Sequence, residues 1–271
     1  MNPTPTPPDL IALATHPDHN AVTRFSNACA ELDAEDLADG YDALMARAPH
    51  RHNFNRRYFV GHDGRPSSGA WTNRIEEHLA IALVNDRSSW MMPHGGSLDL
   101  LDYQVPLKAQ RSDGGVGKID IFGLTNISVP VVIELKVLGK NSADTPLRAL
   151  LEALAYAAIV EANGAAFRSE ISGMTGHRLT SGRPDLLIAA PDDYWSFWSA
   201  KAAAGEWRQN CGDLASALAH RLGIDIDMVS IGNPGLEPGL DGQPPHIISD
   251  LTIDTVGRWS GRQPSDYSTE K

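Results

Sequence analysis

Apolar and polar positions between residues 118 and 137 fall into two short, strand-like runs. Lys118 to Phe122 sets Ile119 and Ile121 around a single acid, Asp120, and Val131 to Val137 is a β-branched run interrupted by Glu134 and Lys136. Segments this rich in Val and Ile suit a buried sheet. Residues two apart in a strand share a face, ~6.6 Å along it. Glu134 therefore stands beside Lys136, and Asp120 shares a face with Lys118 and Phe122. If the two strands pair, two carboxylates and one amine meet at one edge of the sheet.

The surrounding pattern predicts further elements. Trp71 to Asp86 reads as an amphipathic helix, with Thr72 as N-cap and Ile75, Leu79, Ala82 and Leu83 on one face. Glu76 borders that face and Glu77 points roughly opposite. Leu98 to Lys108 reads as a strand, with a loop from Trp90 to Ser97 before it. Thr145 to Asn163 is the plainest helix: Thr145 caps it, Pro146 takes its first position, and Asn163-Gly164 end it. Pro184 to Pro191 reads as a buried strand, 192–222 as two helices, and 224–231 and 247–259 as further strands about a Pro/Gly-rich loop. Upstream, helical spacing runs through Leu10, Ala12, Leu13, Ala21, Phe25, Ala28 and Leu32, and 33–46 forms another helix with Leu37, Tyr41, Leu44 and Met45 inward. The Pro/Thr-rich start and the residues from Gln263 read as disordered. The expected organisation is a helical extension over 1–65, one domain over 66–262 and a tail over 263–271.

Charges inside apolar strands are costly unless paired or bound to a metal. Two carboxylates offer hard oxygen ligands for Mg²⁺, and a lysine beside them can hold a water or offset charge on a phosphate oxygen. A structural ion pair between Lys136 and one acid is the competing reading. Asp120 followed by Glu134-Leu135-Lys136 resembles the motif of the PD-(D/E)XK nuclease superfamily, with Ile119-Asp120 where many members have Pro-Asp. The order helix, three strands, helix, strand over residues 71–191 resembles that superfamily's restriction-endonuclease-like αβββαβ core, a mixed α/β sheet flanked by helices.

The resemblance implies a metal-dependent nuclease, with DNA favoured over RNA, of the kind found among restriction and phage-defence effectors. It implies that Asp120, Glu134, the Leu135 carbonyl and Glu76 hold Mg²⁺ or Mn²⁺, with Glu77 competing for the role of Glu76, and that Lys136 orients the water. Glu152 and Tyr156 resemble the Gln-x-x-x-Tyr pair of the recombination-exonuclease branch, with Glu in place of Gln. Arg148, one turn earlier, can reach a phosphate. On this reading Asp120→Ala or Lys136→Ala abolishes cleavage without unfolding the chain. The alternative is a non-catalytic nucleic-acid-binding or protein-interaction module on the same fold.

Composition narrows the picture. With 271 residues and 42% hydrophobic content the chain can bury a sizeable core, and a net charge of -11 argues against a general basic coat for nucleic acid. Local contact falls to the segment from Arg47 to Arg65, where basic residues, Arg56 and Arg57 among them, alternate with Phe54, Tyr58 and Phe59 in a pattern suited to phosphate contact and base stacking. The acidic balance also favours a targeting partner or a homo-oligomer. Cys29 and Cys211 form no Cys-x-x-Cys unit, so zinc is not expected and a reducing cytoplasm is the default; no stretch reads as a membrane span or signal. Trp195 and Trp198 read as core, and Asp185 as structural.

Overall fold

The computed structural model describes residues 6–66, 74–86, 89–139, 144–176, 178–232, 234–239 and 243–262. The proposed Thr72 cap, the extreme N-terminus and the tail from Gln263 lie outside them. The strands are β1 (Trp90–Met91), β2 (Ser97–Pro106), β3 (Lys118–Thr125), β4 (Pro130–Leu135), β5 (Asp185–Pro191), β6 (Asp225–Gly232), β7 (Leu236–Glu237), β8 (His246–Ile247) and β9 (Thr252–Ser260). Seven of them form one sheet in the order β1-β2-β3-β4-β5-β6-β9; β7 and β8 make a separate small hairpin. The pairings β1–β2, β2–β3, β3–β4 and β6–β9 are antiparallel, whereas β4–β5 and β5–β6 are parallel. The chain is therefore a mixed α/β fold.

Helices cover both faces: α1 (Leu10–Ala14), α2 (Phe25–Glu31), α3 (Ala34–Ala46), α4 (Ile75–Asp86), α5 (Pro146–Ala162), α6 (Gly164–Thr175), α7 (Asp192–Ala200) and α8 (Trp207–Leu222). The period of two along the strands sorts their side chains. Phe122, Val132, Leu186 and Ile188 point into a core shared with Leu150 and Leu154 of α5, while Ile121, Ile133 and Leu187 join Leu79 and Leu83 of α4. Both faces of β4 and β5 are thus buried, which is why their sequences are apolar almost throughout. Removing a Leu or Ile such as Leu150 or Ile188 from water contributes about 1.5–3 kcal/mol each. The N-terminal helices belong to the same core: Leu10, Phe25 and Tyr41 pack into it with α5 and α8.

Several expectations need correction. The helical spacing from Leu10 to Leu32 does not form one helix, because Pro17 starts a short 3-10 turn between α1 and α2. Residues 90–98 hold more than a loop, since Trp90 pairs with Leu98 to make β1. Asn163 ends α5, yet the chain turns by 82° straight into α6. Tyr58 and Phe59 are buried, Tyr58 stacked on Phe167 and Phe59 edge-on to Phe122, and both of their N–H groups donate to Glu170. They cannot serve as stacking platforms for bases. Cys29 and Cys211 are not separate thiols; they form a disulfide joining α2 to α8, with Cα atoms 5.2 Å apart and 182 positions between them in sequence. Trp195 and Trp198 are core residues. Asp185 is structural: Oδ1 accepts from the Arg262 guanidinium at 2.6 Å and from the Asp225 N–H at 2.8 Å. No single helix among the described residues is long and apolar enough to cross a membrane.

Candidate active site

Asp120, Glu134 and Lys136 meet where β3 and β4 run out toward the carboxyl end of β4. The last ladder pair is Ile121 with Ile133, and the same register carried one step on sets Asp120 across from Glu134. There the ladder gives way to side chains. The Leu135 N–H donates to Asp120 Oδ2 at 3.0 Å, and the Gln104 side-chain amide donates to Oδ1 at 3.1 Å. Lys136 lies one residue past the end of β4, still anchored by its N–H on the Ala189 carbonyl of β5 at 2.9 Å. Its ammonium turns back into the sheet edge, donating to Glu134 Oε1 at 2.7 Å and to Glu152 Oε2 at 2.8 Å, with Asp144 Oδ2 at 3.8 Å.

Helix α5 forms the second wall. Thr145 caps it, its hydroxyl accepting from the Arg148 N–H, and Pro146 fills its first position. Arg148, Glu152 and Tyr156, each four apart, share one face. Arg148 donates to Glu152 Oε1 at 3.1 Å and to Asp144 Oδ1 at 3.2 Å. The Tyr156 hydroxyl lies so close to Gly117 that no Cβ would fit there. From the N-terminal region, Asn20 donates to Asp144 Oδ1 at 2.9 Å and accepts from the Thr145 N–H.

Four carboxylates and two cations thus form one network, and a fifth acid stands beside it. Burial, together with the charges of Asp120, Asp144 and Glu152 and against that of Lys136, lifts Glu76 to about 8. Burial and then the Asp120 charge hold Glu134 well above the ordinary glutamate range. Asp120 is raised by burial, with Lys136 and the Leu135 N–H pulling the other way. Burial also pushes Glu152 up, but Lys136, hydrogen bonds and Arg148 bring it below its usual value. Burial opposes the Lys136 charge, yet Glu134, Glu76, Glu152 and Asp120 together raise it well above the ordinary lysine range. Glu134 Oε2 is the unsatisfied member, a buried oxygen with no hydrogen-bond partner.

The trio is enclosed: Asp120, Glu134 and Lys136 are 7%, 3% and 4% exposed. Asp144 and Arg148, with side chains 34% and 29% exposed, face solvent. Among the described residues no three His, Cys, Asp or Glu side chains are arranged to enclose a metal ion. The cation at the centre is the Lys136 ammonium. Alongside, past the carboxyl ends of β4, β5 and β6, lies an apolar cleft of about 560 Å³ lined by Ile75, Leu79, Val137, Pro191 and Leu236, among others. Ile75 adjoins Glu76 and Val137 adjoins Lys136 in sequence.

The structure gathers Glu76, Asp120, Glu134, Lys136, Arg148, Glu152 and Tyr156 into one place. Glu77 instead pairs with Arg74 at 2.8 Å. Leu135 contributes its N–H, through Asp120. Arg56 and Arg57 belong to a different neighbourhood: Arg56 donates to the Ala109 carbonyl in the β2–β3 connection, and the Arg57 carbonyl accepts from Arg51. Three participants, Asp144, Gln104 and Asn20, are not marked in the sequence. Asp144 precedes the Thr145 cap with no pattern to mark it, and Gln104 shows only as a polar position inside an apolar strand. Comparison with known proteins found no matching family model, no matching curated protein and no matching solved structure.

Proposed function

We propose that this chain is a divalent-cation-dependent nuclease of the PD-(D/E)XK type, with a restriction-endonuclease-like core and DNA as its favoured substrate. The observation that carries this reading is the convergence of Asp120, Glu134 and Lys136 at the β3–β4 edge with one buried carboxylate oxygen, Glu134 Oε2, left without a partner. Five acids share this poorly solvated place with two cations, burial raises Glu76 and Glu134 toward their neutral forms, and an added divalent cation would favour their charged forms. The donor set fits Mg²⁺ or Mn²⁺, which favour carboxylate oxygen. Asp120 and Glu134 would hold the ion, with Glu76 at the margin. Once bound, the ion supplies Lewis-acid stabilisation of charge on the phosphate and lowers the pKa of a bound water. Gln104 and the Leu135 N–H fix the Asp120 carboxylate. Glu152 holds Lys136 close to Glu134, from where its ammonium can donate to a water or to a phosphate oxygen. Arg148, at the solvent-facing side, is suited to a phosphate further along the strand.

One observation favours the second reading, a non-catalytic module on the same fold. Lys136 already bridges two carboxylates at hydrogen-bond distance, as a structural ion pair would. The two readings part in a cleavage assay of the purified full chain on plasmid, linear and single-stranded DNA and on RNA, with Mg²⁺, with Mn²⁺ and with EDTA. The nuclease reading expects cation-dependent cleavage that is lost in Asp120→Asn. Absence of cleavage on every substrate, or cleavage undiminished by EDTA or by Asp120→Asn, refutes it.

A further inference from the structure

Three non-glycine residues among those described have a positive φ: Asn55 at 53°, Gln104 at 49° and Ser128 at 63°. Asn55 ends a 3-10 turn and Ser128 lies in the β3–β4 connection, places where the left-handed region is common. Gln104 lies inside β2. Its neighbours pair as Tyr103 with Ile121 and Val105 with Ile119, just past a register shift between Leu100 and Asp102, and this puts Gln104 across from Asp120. Side chains rarely adopt this backbone conformation, and such outliers persist only where the surroundings enforce them. Gln104 is half-buried, so core packing does not account for it. Its amide does have one specific partner, Asp120 Oδ1 at 3.1 Å.

We propose that Gln104 is a positioning residue for Asp120, holding the carboxylate so that its remaining lone pairs are directed at a divalent cation. This rests on the nuclease reading above. Asp120 has one oxygen tied to the backbone of β4 through the Leu135 N–H and the other tied to β2 through Gln104. A carboxylate has about four lone-pair sites, so two donors still leave it capacity to bind an ion while fixing its plane. Without the Gln104 donor one oxygen is released and the group can rotate about its last bond. Outer partners of this kind typically change metal affinity by about 10–100-fold when removed.

The test uses the full chain and Mn²⁺ alone, with affinity read by calorimetry or by Mn²⁺ electron paramagnetic resonance and folding read by thermal melting. Gln104→Gly removes the donor and relaxes the backbone. Gln104→Met keeps the length of the side chain and removes the amide, its donor included. Both are expected to bind Mn²⁺ about 10–100-fold more weakly than the parent, with no fall in melting temperature for the glycine variant. A purely structural role would instead lower the melting temperature and leave affinity in the folded protein alone. If the parent binds Mn²⁺ and both variants match it within twofold, the role of Gln104 is overturned and the nuclease reading stands. If the parent binds no Mn²⁺, both are overturned.

Discussion

Lys136→Met separates the lysine's structural contribution from any catalytic one. The side chain is 5% exposed, and its ammonium lies 2.7 Å from Glu134 and 2.8 Å from Glu152. Methionine keeps most of the apolar stem, so little cavity is created and the loss is chiefly electrostatic. Removing one partner of a buried ion pair costs about 3–5 kcal/mol, because the other is left charged and unsolvated. Folding free energies are only about 5–15 kcal/mol, so the loss is a large share of the total. The geometry thus argues against the expectation that a lysine deletion spares the fold: stability is expected to fall whether or not the chain cleaves nucleic acid. Acid should relieve the defect. Burial pushes Glu152 up, and Lys136 helps hold it below its usual value; without the ammonium burial raises it instead, so Glu152 takes up a proton as pH falls and the penalty shrinks. Urea denaturation in EDTA is expected to show a larger loss at pH 8 than at pH 5. Equal midpoints for Lys136→Met and the parent at pH 8 would refute the ledger of charges drawn for this cluster.

At the opposite end of the sheet, burial lifts Asp227 to about 7, with Arg258 opposing and Asp225 and Asp185 reinforcing it. An acid whose folded pKa is raised keeps its proton on folding, so the parent loses stability as pH rises from about 4 through 7. Asp227→Asn should gain on the parent across that window, by at most about 4 kcal/mol at pH 8; an unchanged difference between urea midpoints at pH 4.5 and pH 8 would count against this. Gly117→Ala drives a methyl group into the Tyr156 hydroxyl, at a cost of about 1–3 kcal/mol. Gly117→Ala combined with Tyr156→Phe should recover part of that, and a double-mutant cycle with no coupling would show that the close approach is harmless.

Much of this architecture is legible in the sequence. The period-two runs at 118–122 and 131–137 marked two strands whose pairing would bring Asp120 to Glu134; the register itself is visible only in the structure, because a strand buried on both faces has no polar side to set it. Thr145 and Pro146 marked the start of α5, and spacing by four put Arg148, Glu152 and Tyr156 on one face. What stayed hidden depended on long-range packing. Tyr58 and Phe59 looked like a nucleic-acid surface because interleaved basic and aromatic residues look alike whether the rings face solvent or core. Nothing local to Cys29 or Cys211 reveals that α2 and α8 lie side by side. The positive φ of Gln104 has no signature, because glutamine is not a residue that favours it.

Part of the stretch 1–65, set apart in the sequence as a helical extension, braces the acidic network. Asn20 grips both Asp144 and the backbone of Thr145, and the Thr145 hydroxyl donates to the His19 carbonyl. The stretch just beyond is fastened to α8 through Cys29. Trimming the chain to its sheet and flanking helices would cut the guy-ropes of α5's leading turn, so a shortened protein would test a different acidic network from the one the whole chain builds.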